Sequence, residues 1–158
     1  KPRMFAKKLS QLISAIAVRM EQSAEVSPLL AERSEKKRVM VIALTSDRGL
    51  CGAFNSSVLR ATQRFIVDNE DKYTILLSTI GRKGFEGLTR LSYKVEKQFI
   101  SEEKTHNFAL AKHVAEEMCA RFLNHDIDAV YLVYNAFKSA ITQEVVVEQM
   151  LPVVRHAS

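Results

Sequence analysis

A chain of 158 residues that is 47% hydrophobic is long enough for one domain with a substantial core, and an appendage at most beside it. Its formal charge of +5 is concentrated near the start, where residues 1–38 hold nine Lys/Arg against four Asp/Glu while the remaining residues hold fourteen of each. No run of about 18 consecutive apolar residues occurs to form a membrane-spanning helix, and Cys51 and Cys119, the only cysteines, are too far apart for a zinc ligand pair or a redox Cys-x-x-Cys motif; a soluble, unexported protein in a reducing compartment is expected.

Over residues 3–22, Phe5, Leu9, Leu12, Ile13, Ile16 and Met20 recur at helical spacing, with Lys7, Lys8, Gln11 and Arg19 between them, which predicts an amphipathic helix in need of a partner. A helix lying on its own domain and a helix in a coiled coil both fit, because barely two heptads are visible. Ser27-Pro28 ends the helix, and Glu32 to Arg38 is a charged linker. Within it, Lys36-Lys37-Arg38 offers charge to phosphates but lacks the interleaved aromatic residues used for base stacking.

From Val39 to Leu44 every residue is apolar, the pattern of a strand buried on both faces. A loop over Ser46–Gly52 precedes a helix from about Asn55 to Val67 with Val58, Ala61, Phe65 and Ile66 inward. The next elements are a strand at Tyr73–Ile80, a short helix at Gly81–Leu91, a strand at Tyr93–Phe99, and a long helix at Thr105–Leu123 with Phe108, Ala111, Val114, Ala115, Met118 and Phe122 on one face. Val130–Tyr134 is a further strand. The last, Glu144–Glu148, follows a connection too short for a crossover helix and is expected to return antiparallel at the sheet edge. Alternating strands and helices predict an α/β fold, with a Rossmann-like, mostly parallel sheet covered by helices on both faces. The domain organisation expected is residues 1–27 as part of a long N-terminal helix, 28–38 as a linker, and 39–158 as the globular domain.

Ligands of open parallel sheets gather at the carboxyl ends of the strands, which points to Ser46-Asp47-Arg48-Gly49-Leu50-Cys51-Gly52. That loop matches neither a P-loop nor a dinucleotide fingerprint: Phe54 stands where the second P-loop glycine is needed, and Cys51 stands where the fingerprint needs its second glycine. Cys51 precedes a helix, which favours a reactive thiolate, but Ser57 occupies the position where a phosphatase-type loop carries arginine. There is no nucleophile elbow and no His-Glu-x-x-His motif. His106 and His113 have no third ligand at metal-site spacing. Glu102-Glu103 and Glu116-Glu117 are adjacent and point apart on a helix. Gly49 and Gly52 permit a close approach by another chain. No catalytic residue, cofactor or metal is expected.

Thr45-Ser46-Asp47-Arg48-Gly49-Leu50-Cys51-Gly52, followed by Asn55-Ser56, closely resembles the signature segment of F-type ATP synthase gamma subunits. Gly81-Arg82-Lys83-Gly84, Tyr134-Asn135-Ala136-Phe137 and Gln149-Met150-Leu151-Pro152 follow in that family's order, so the resemblance covers nearly the whole chain. It implies a non-catalytic rotor subunit of the central stalk, a Rossmann-like domain joined to two long helices that form an antiparallel coiled coil within the ring of alpha and beta subunits. Ser46 to Gly52 would lie beside that shaft and face a beta subunit, with Cys51 a contact residue, while the outer part of the domain would face the epsilon subunit and the membrane c-ring. Phe5, Leu9, Leu12 and Ile16 would form the coiled-coil face. The 158 residues are expected to begin inside the first long helix and to stop before the terminal one, leaving the stripe from Phe5 to Met20 exposed. The implied location is peripheral, on the cytoplasmic face of a bacterial inner membrane or the matrix side of a mitochondrial one, with no direct membrane insertion. An unrelated Rossmann-like enzyme binding nucleotide or phosphate at Ser46–Gly52, and a basic nucleic-acid adaptor, remain as alternatives.

Overall fold

A computed structural model describes residues 2–21, 28–46, 52–100, 107–139 and 142–154 of the chain. Its elements are α1 (Pro2–Glu21), a 3-10 turn (Pro28–Leu30), β1 (Arg38–Leu44), α2 (Gly52–Asn69), β2 (Thr74–Ile80), α3 (Arg82–Arg90), β3 (Lys97–Phe99), α4 (Phe108–Leu123), β4 (Ala129–Asn135) and β5 (Val145–Leu151). The five strands form one sheet in the order β3-β2-β1-β4-β5. β1 pairs in parallel with β2 and β4, β2 in parallel with β3, and β5 runs antiparallel to β4 as the edge strand.

The unbroken apolar run of β1 follows from its place at the centre of this order. Met40, Ile42 and Leu44 enter a core made with α1 and α4, whereas Val39, Val41 and Ala43 enter a second core made with α2 and α3. All six residues are at most 1% exposed, so the alternation of side chains across a strand leaves no position for a polar residue.

Two expectations change in length. The strand expected over Tyr93–Phe99 pairs with β2 only at Lys97–Phe99. Upstream, Ser92 has φ 70° and the Tyr93 amide donates to Leu88 O at 3.0 Å, so this stretch closes off α3, and Tyr93 and Val95 pack on the α2/α3 core instead of joining the sheet. The helix expected from Thr105 starts at Phe108, where the Asn107 side chain caps it by accepting from the Leu110 amide at 2.9 Å; Thr105 itself lies outside the described residues. Phe108, expected on the inner face, is 55% exposed at the very start of α4, and Lys8 lies over its ring at 5.6 Å.

The largest correction concerns α1. Its apolar stripe is not left exposed: Phe5, Leu9, Ile13 and Ala17 are 5%, 1%, 1% and 3% exposed. They share a core with Leu110, Val114, Met118 and Phe122 of α4, while Leu12, Ile16 and Met20 pack partly buried against the same cluster. Two amphipathic helices side by side on one sheet face satisfy each other's stripes. The large apolar residues of α1 that are exposed are Met4 and Val18, on its other side. No helix among the described residues is long and apolar enough to cross a membrane.

The charged linker is fastened as well. Arg33 lies 4.0 Å over the Phe122 ring and donates to Phe122 O at the end of α4. Lys36 donates to the Tyr131 hydroxyl at 3.2 Å and lies over the Tyr73 and Tyr131 rings; burial pulls its pKa down, but the Tyr131 hydrogen bond and the two phenols hold it above the ordinary lysine value. Arg38 Nε donates to Asp126 O at 2.7 Å. Aromatic residues absent from this stretch of sequence therefore arrive through the fold, and they bind the basic side chains internally.

Burial pushes the Cys119 thiol on α4 up to about 12 from 9.0. Since its folded pKa exceeds the unfolded one, the stability it contributes is intact below pH 9 and is lost as pH rises towards 12. Cys119→Ala is expected to flatten the alkaline decline of stability in urea titrations at successive pH values. Leu9→Ala should cost about 3 kcal/mol by the same measurement, whereas Met4→Ala should stay within about 0.5 kcal/mol.

Candidate functional site

The strand order reverses between β1 and β4, so the crevice of this sheet lies between the segments that leave their carboxyl ends. Of the expected site residues, Ser46 follows β1 and Gly52 opens α2. Asp47, Arg48, Gly49, Leu50 and Cys51 lie outside the described residues. Around Ser46 the structure brings together Thr45, Asn55, Gly81, Lys83 and Gly84.

Thr45 is 1% exposed and Asn55 is 6% exposed. The Thr45 amide donates to Ile80 O at 2.9 Å, extending the β1–β2 ladder, and the Lys83 amide donates to Ser46 O at 3.1 Å. Thr45 Oγ1 accepts from the Gly84 amide at 2.6 Å. The first turn of α3 is thus capped from another strand, by the side chain of Thr45 and the carbonyl of Ser46, since its own N-cap Gly81 supplies no side chain. Asn55 completes the arrangement: its Oδ1 accepts from the Ser46 amide at 3.2 Å and its Nδ2 donates to Ser46 Oγ at 3.0 Å.

Gly81 makes this possible. Its φ is 98°, a region left-handed enough to favour glycine strongly, and a Cβ there would fall 2.0 Å from Thr45 O. At Gly84 a Cβ would fall 2.9 Å from Thr45 Oγ1, against the hydroxyl that caps the helix. The Gly-x-x-Gly spacing of residues 81–84 is therefore a docking requirement of the β1 end on the α3 start. Sequence reasoning used these glycines for the resemblance alone; their spacing just after a strand was the signal for this role.

Across the switch point, Phe54 of α2 stacks on Phe137 beyond β4 with ring centroids 5.0 Å apart and planes 21° from parallel. From the opposite face of the sheet, Arg3 Nη2 of α1 donates to Ala136 O at 3.3 Å. Asn135, wholly buried, donates through Nδ2 to Gln143 Oε1 at 3.0 Å. The described part of the crevice is occupied by the chain's own side chains, and the amides of Lys83 and Gly84 that a phosphate would seek are already bonded. No group of three His, Cys, Asp or Glu able to hold a metal occurs among the described residues. His113 lies 3.7 Å from Glu117 Oε1 and edge-on to Phe99, while Glu117 also pairs with Lys97; His106, Glu102 and Glu103 lie outside the described residues.

Thr45→Val should strand the Gly84 amide and cost about 2 kcal/mol, whereas Thr45→Ser keeps the acceptor and should cost less than half of that. Gly81→Ala, which adds backbone strain to the clash, should cost at least about 2 kcal/mol. Equilibrium urea unfolding of the three variants measures these values.

A family model described as ATP synthase matches residues 1–158. An ATP synthase gamma chain of Anaeromyxobacter sp. (strain Fw109-5) is 41% identical over 155 residues, which is 97% of this chain and 53% of that protein. One of Geobacter sp. (strain M21) is 40% identical over 152 residues, 96% of this chain and 52% of that protein. The chain thus spans about half the length of the curated relatives it matches. In fold it is similar to a chain of the central stalk and c-ring structure of the Tetrahymena thermophila mitochondrial ATP synthase, with TM-score 0.60, 24% identity, and coverage of 99% of this chain and 79% of that one. It is also similar to a chain of the Euglena gracilis mitochondrial ATP synthase rotor, with TM-score 0.57, 20% identity, and coverage of 94% of this chain and 54% of that one. With a family match along its whole length and gamma-chain relatives aligned to nearly all of it, the chain belongs to the ATP synthase gamma-chain family.

Proposed function

We propose that the protein is a rotor element of the central stalk of an F-type ATP synthase, mechanically linking transmembrane proton flow to ATP synthesis and hydrolysis in the alpha/beta ring and carrying no catalytic residue itself. The observation that carries this reading is that internal contacts take up the described part of the strand-end crevice: Thr45 Oγ1 and Ser46 O accept from the Gly84 and Lys83 amides of α3, Asn55 holds Ser46, and Phe54 stacks on Phe137 across the switch point. A fold that uses its usual ligand position for internal contacts is suited to present a shaped surface to neighbouring polypeptides. Family membership supplies the neighbours. Its partners are the alpha and beta subunits, the epsilon subunit and the c-ring, and its position is peripheral to the coupling membrane, on the cytoplasmic face in bacteria or the matrix side in mitochondria.

In this reading Ser46, Asp47, Arg48, Gly49, Leu50, Cys51 and Gly52 contact a beta subunit beside the shaft. Residues 1–27 belong to the stalk helix, 28–38 link it to the sheet, and 39–158 form the Rossmann-like domain. Phe5 and Leu9 are buried on α4, so the shaft-facing side of α1 is the opposite one or is shared at the seam by Leu12 and Ile16, which are only partly buried.

Reconstitution of the full-length chain with alpha and beta subunits should give ATP-driven rotation of a bead fixed to the sheet domain, and an immobilised epsilon subunit should retain the same chain. Saturable micromolar binding of ATP, NAD or phosphate by calorimetry, lost on replacing Asp47 or Arg48, would instead favour an enzyme.

A further inference from the structure

Arg33 holds the segment before β1 to the end of α4, and its three contacts differ in chemistry. The guanidinium lies 4.0 Å over the Phe122 ring, donates through Nη2 to Phe122 O, and has Nη1 2.9 Å from Nδ1 of His125. Its Nε is buried with no hydrogen-bond partner among the described residues. A guanidinium carries five N–H donors and no acceptor. Nδ1 of His125 must therefore accept, which leaves the ring proton on Nε2 and requires a neutral imidazole. His125 stands at φ 61° just past the C-cap of α4, and its amide donates to Phe122 O at 3.1 Å, so one carbonyl anchors both partners. Protonation reverses the third contact alone: an imidazolium presents N–H and positive charge to a group that can only donate, whereas the Phe122 ring and carbonyl contacts do not depend on the charge of His125. The other charged groups of these elements are engaged elsewhere. Asp126 binds Arg121 and Arg38, Arg121 also pairs with Glu96, Asp128 accepts from the Lys37 and Arg38 amides, Lys37 pairs with Glu35, and Lys36, beside Glu32, is held by Tyr131 and Tyr73.

We propose that Arg33 and His125 form a proton-operated latch: neutral His125 fastens residues 29–37 to the turn between α4 and β4, and protonated His125 releases Arg33 and loosens that segment. Histidine is the side chain whose charge ordinarily changes between pH 5 and 8, so the latch responds to moderate acidity. His125 is exposed and Arg33 half-buried, so solvent screens the repulsion and the response is a local opening of small factor, with the sheet core staying closed. The latch stands apart from the rotor reading, whose failure would leave it intact.

Hydrogen exchange of the full-length chain tests the latch, read by mass spectrometry on fragments spanning residues 29–37 and corrected for the intrinsic pH dependence of amide exchange. In the wild type, protection of that segment should be about two- to fivefold lower at about pH 5.5 than at about pH 8, while fragments of β1 keep theirs. His125→Asn places a carbonyl oxygen where Nδ1 stands, tolerates the positive φ and takes up no proton. Its protection should be equal at both pH values and match that of the wild type at the higher one. His125→Lys is charged at both and should be as open at the higher pH as the wild type is in acid. Arg33→Gln, which still donates to Phe122 O but bears no charge, should lose the pH dependence. A wild-type ratio no larger than that of His125→Asn overturns the proposal, as does a loss of protection in acid that spreads equally over β1. If His125→Lys does not fold, the comparison of wild type with His125→Asn decides.

Discussion

β1 sets the constraint that everything else obeys. A strand whose six consecutive apolar residues are all buried needs a neighbour along each edge and a layer over each face, because any side left open would expose either backbone groups or aliphatic side chains. Its edges are taken by β2 and β4. Its faces are taken by α1 with α4 and by α2 with α3. Once β1 lies between strands that come after it in the chain, the direction of connection must reverse beside it, and the strand-end crevice is located before any residue of that crevice is chosen.

What distinguishes this crevice is how the chain fills it. A helix start beside a strand end is a ready anion site when its amides are free. Here Thr45 and Ser46 take the amides of Gly84 and Lys83, and Asn55 takes Ser46 in turn. The start of α3, the end of β1 and the start of α2 become one hydrogen-bonded unit. The same logic extends to the other face, where α1 reaches the end of β4 through Arg3.

Much of this was legible in the residues, and the rest fails for physical reasons. The run from Val39 to Leu44 declared a doubly covered central strand because no half-exposed strand tolerates such a sequence. Val58 and Phe122 fell on the expected inner faces because helical periodicity is strong over several turns. The antiparallel return of β5 followed from a connection too short for anything else. By contrast, the partner of α1 was hidden, since periodicity shows that a stripe is covered but not by what. Phe108 misled because an aromatic residue at correct spacing can overhang the edge of a core. The cap on α3 was invisible in the local sequence, as its hydroxyl comes from Thr45, nearly forty positions earlier. The contact role of Asp47 to Cys51 rests on resemblance and family membership, since those residues lie outside the described part of the chain.

The amide of Val153, just past β5, donates to Leu29 O at 2.7 Å. The point where the chain enters the sheet and the point where it has finished the sheet are therefore adjacent, and Leu29 and Val153 both lie against the core that α1 and α4 share. A change in the segment before β1 is therefore felt directly by the segment after β5, although the whole sheet separates the two along the chain.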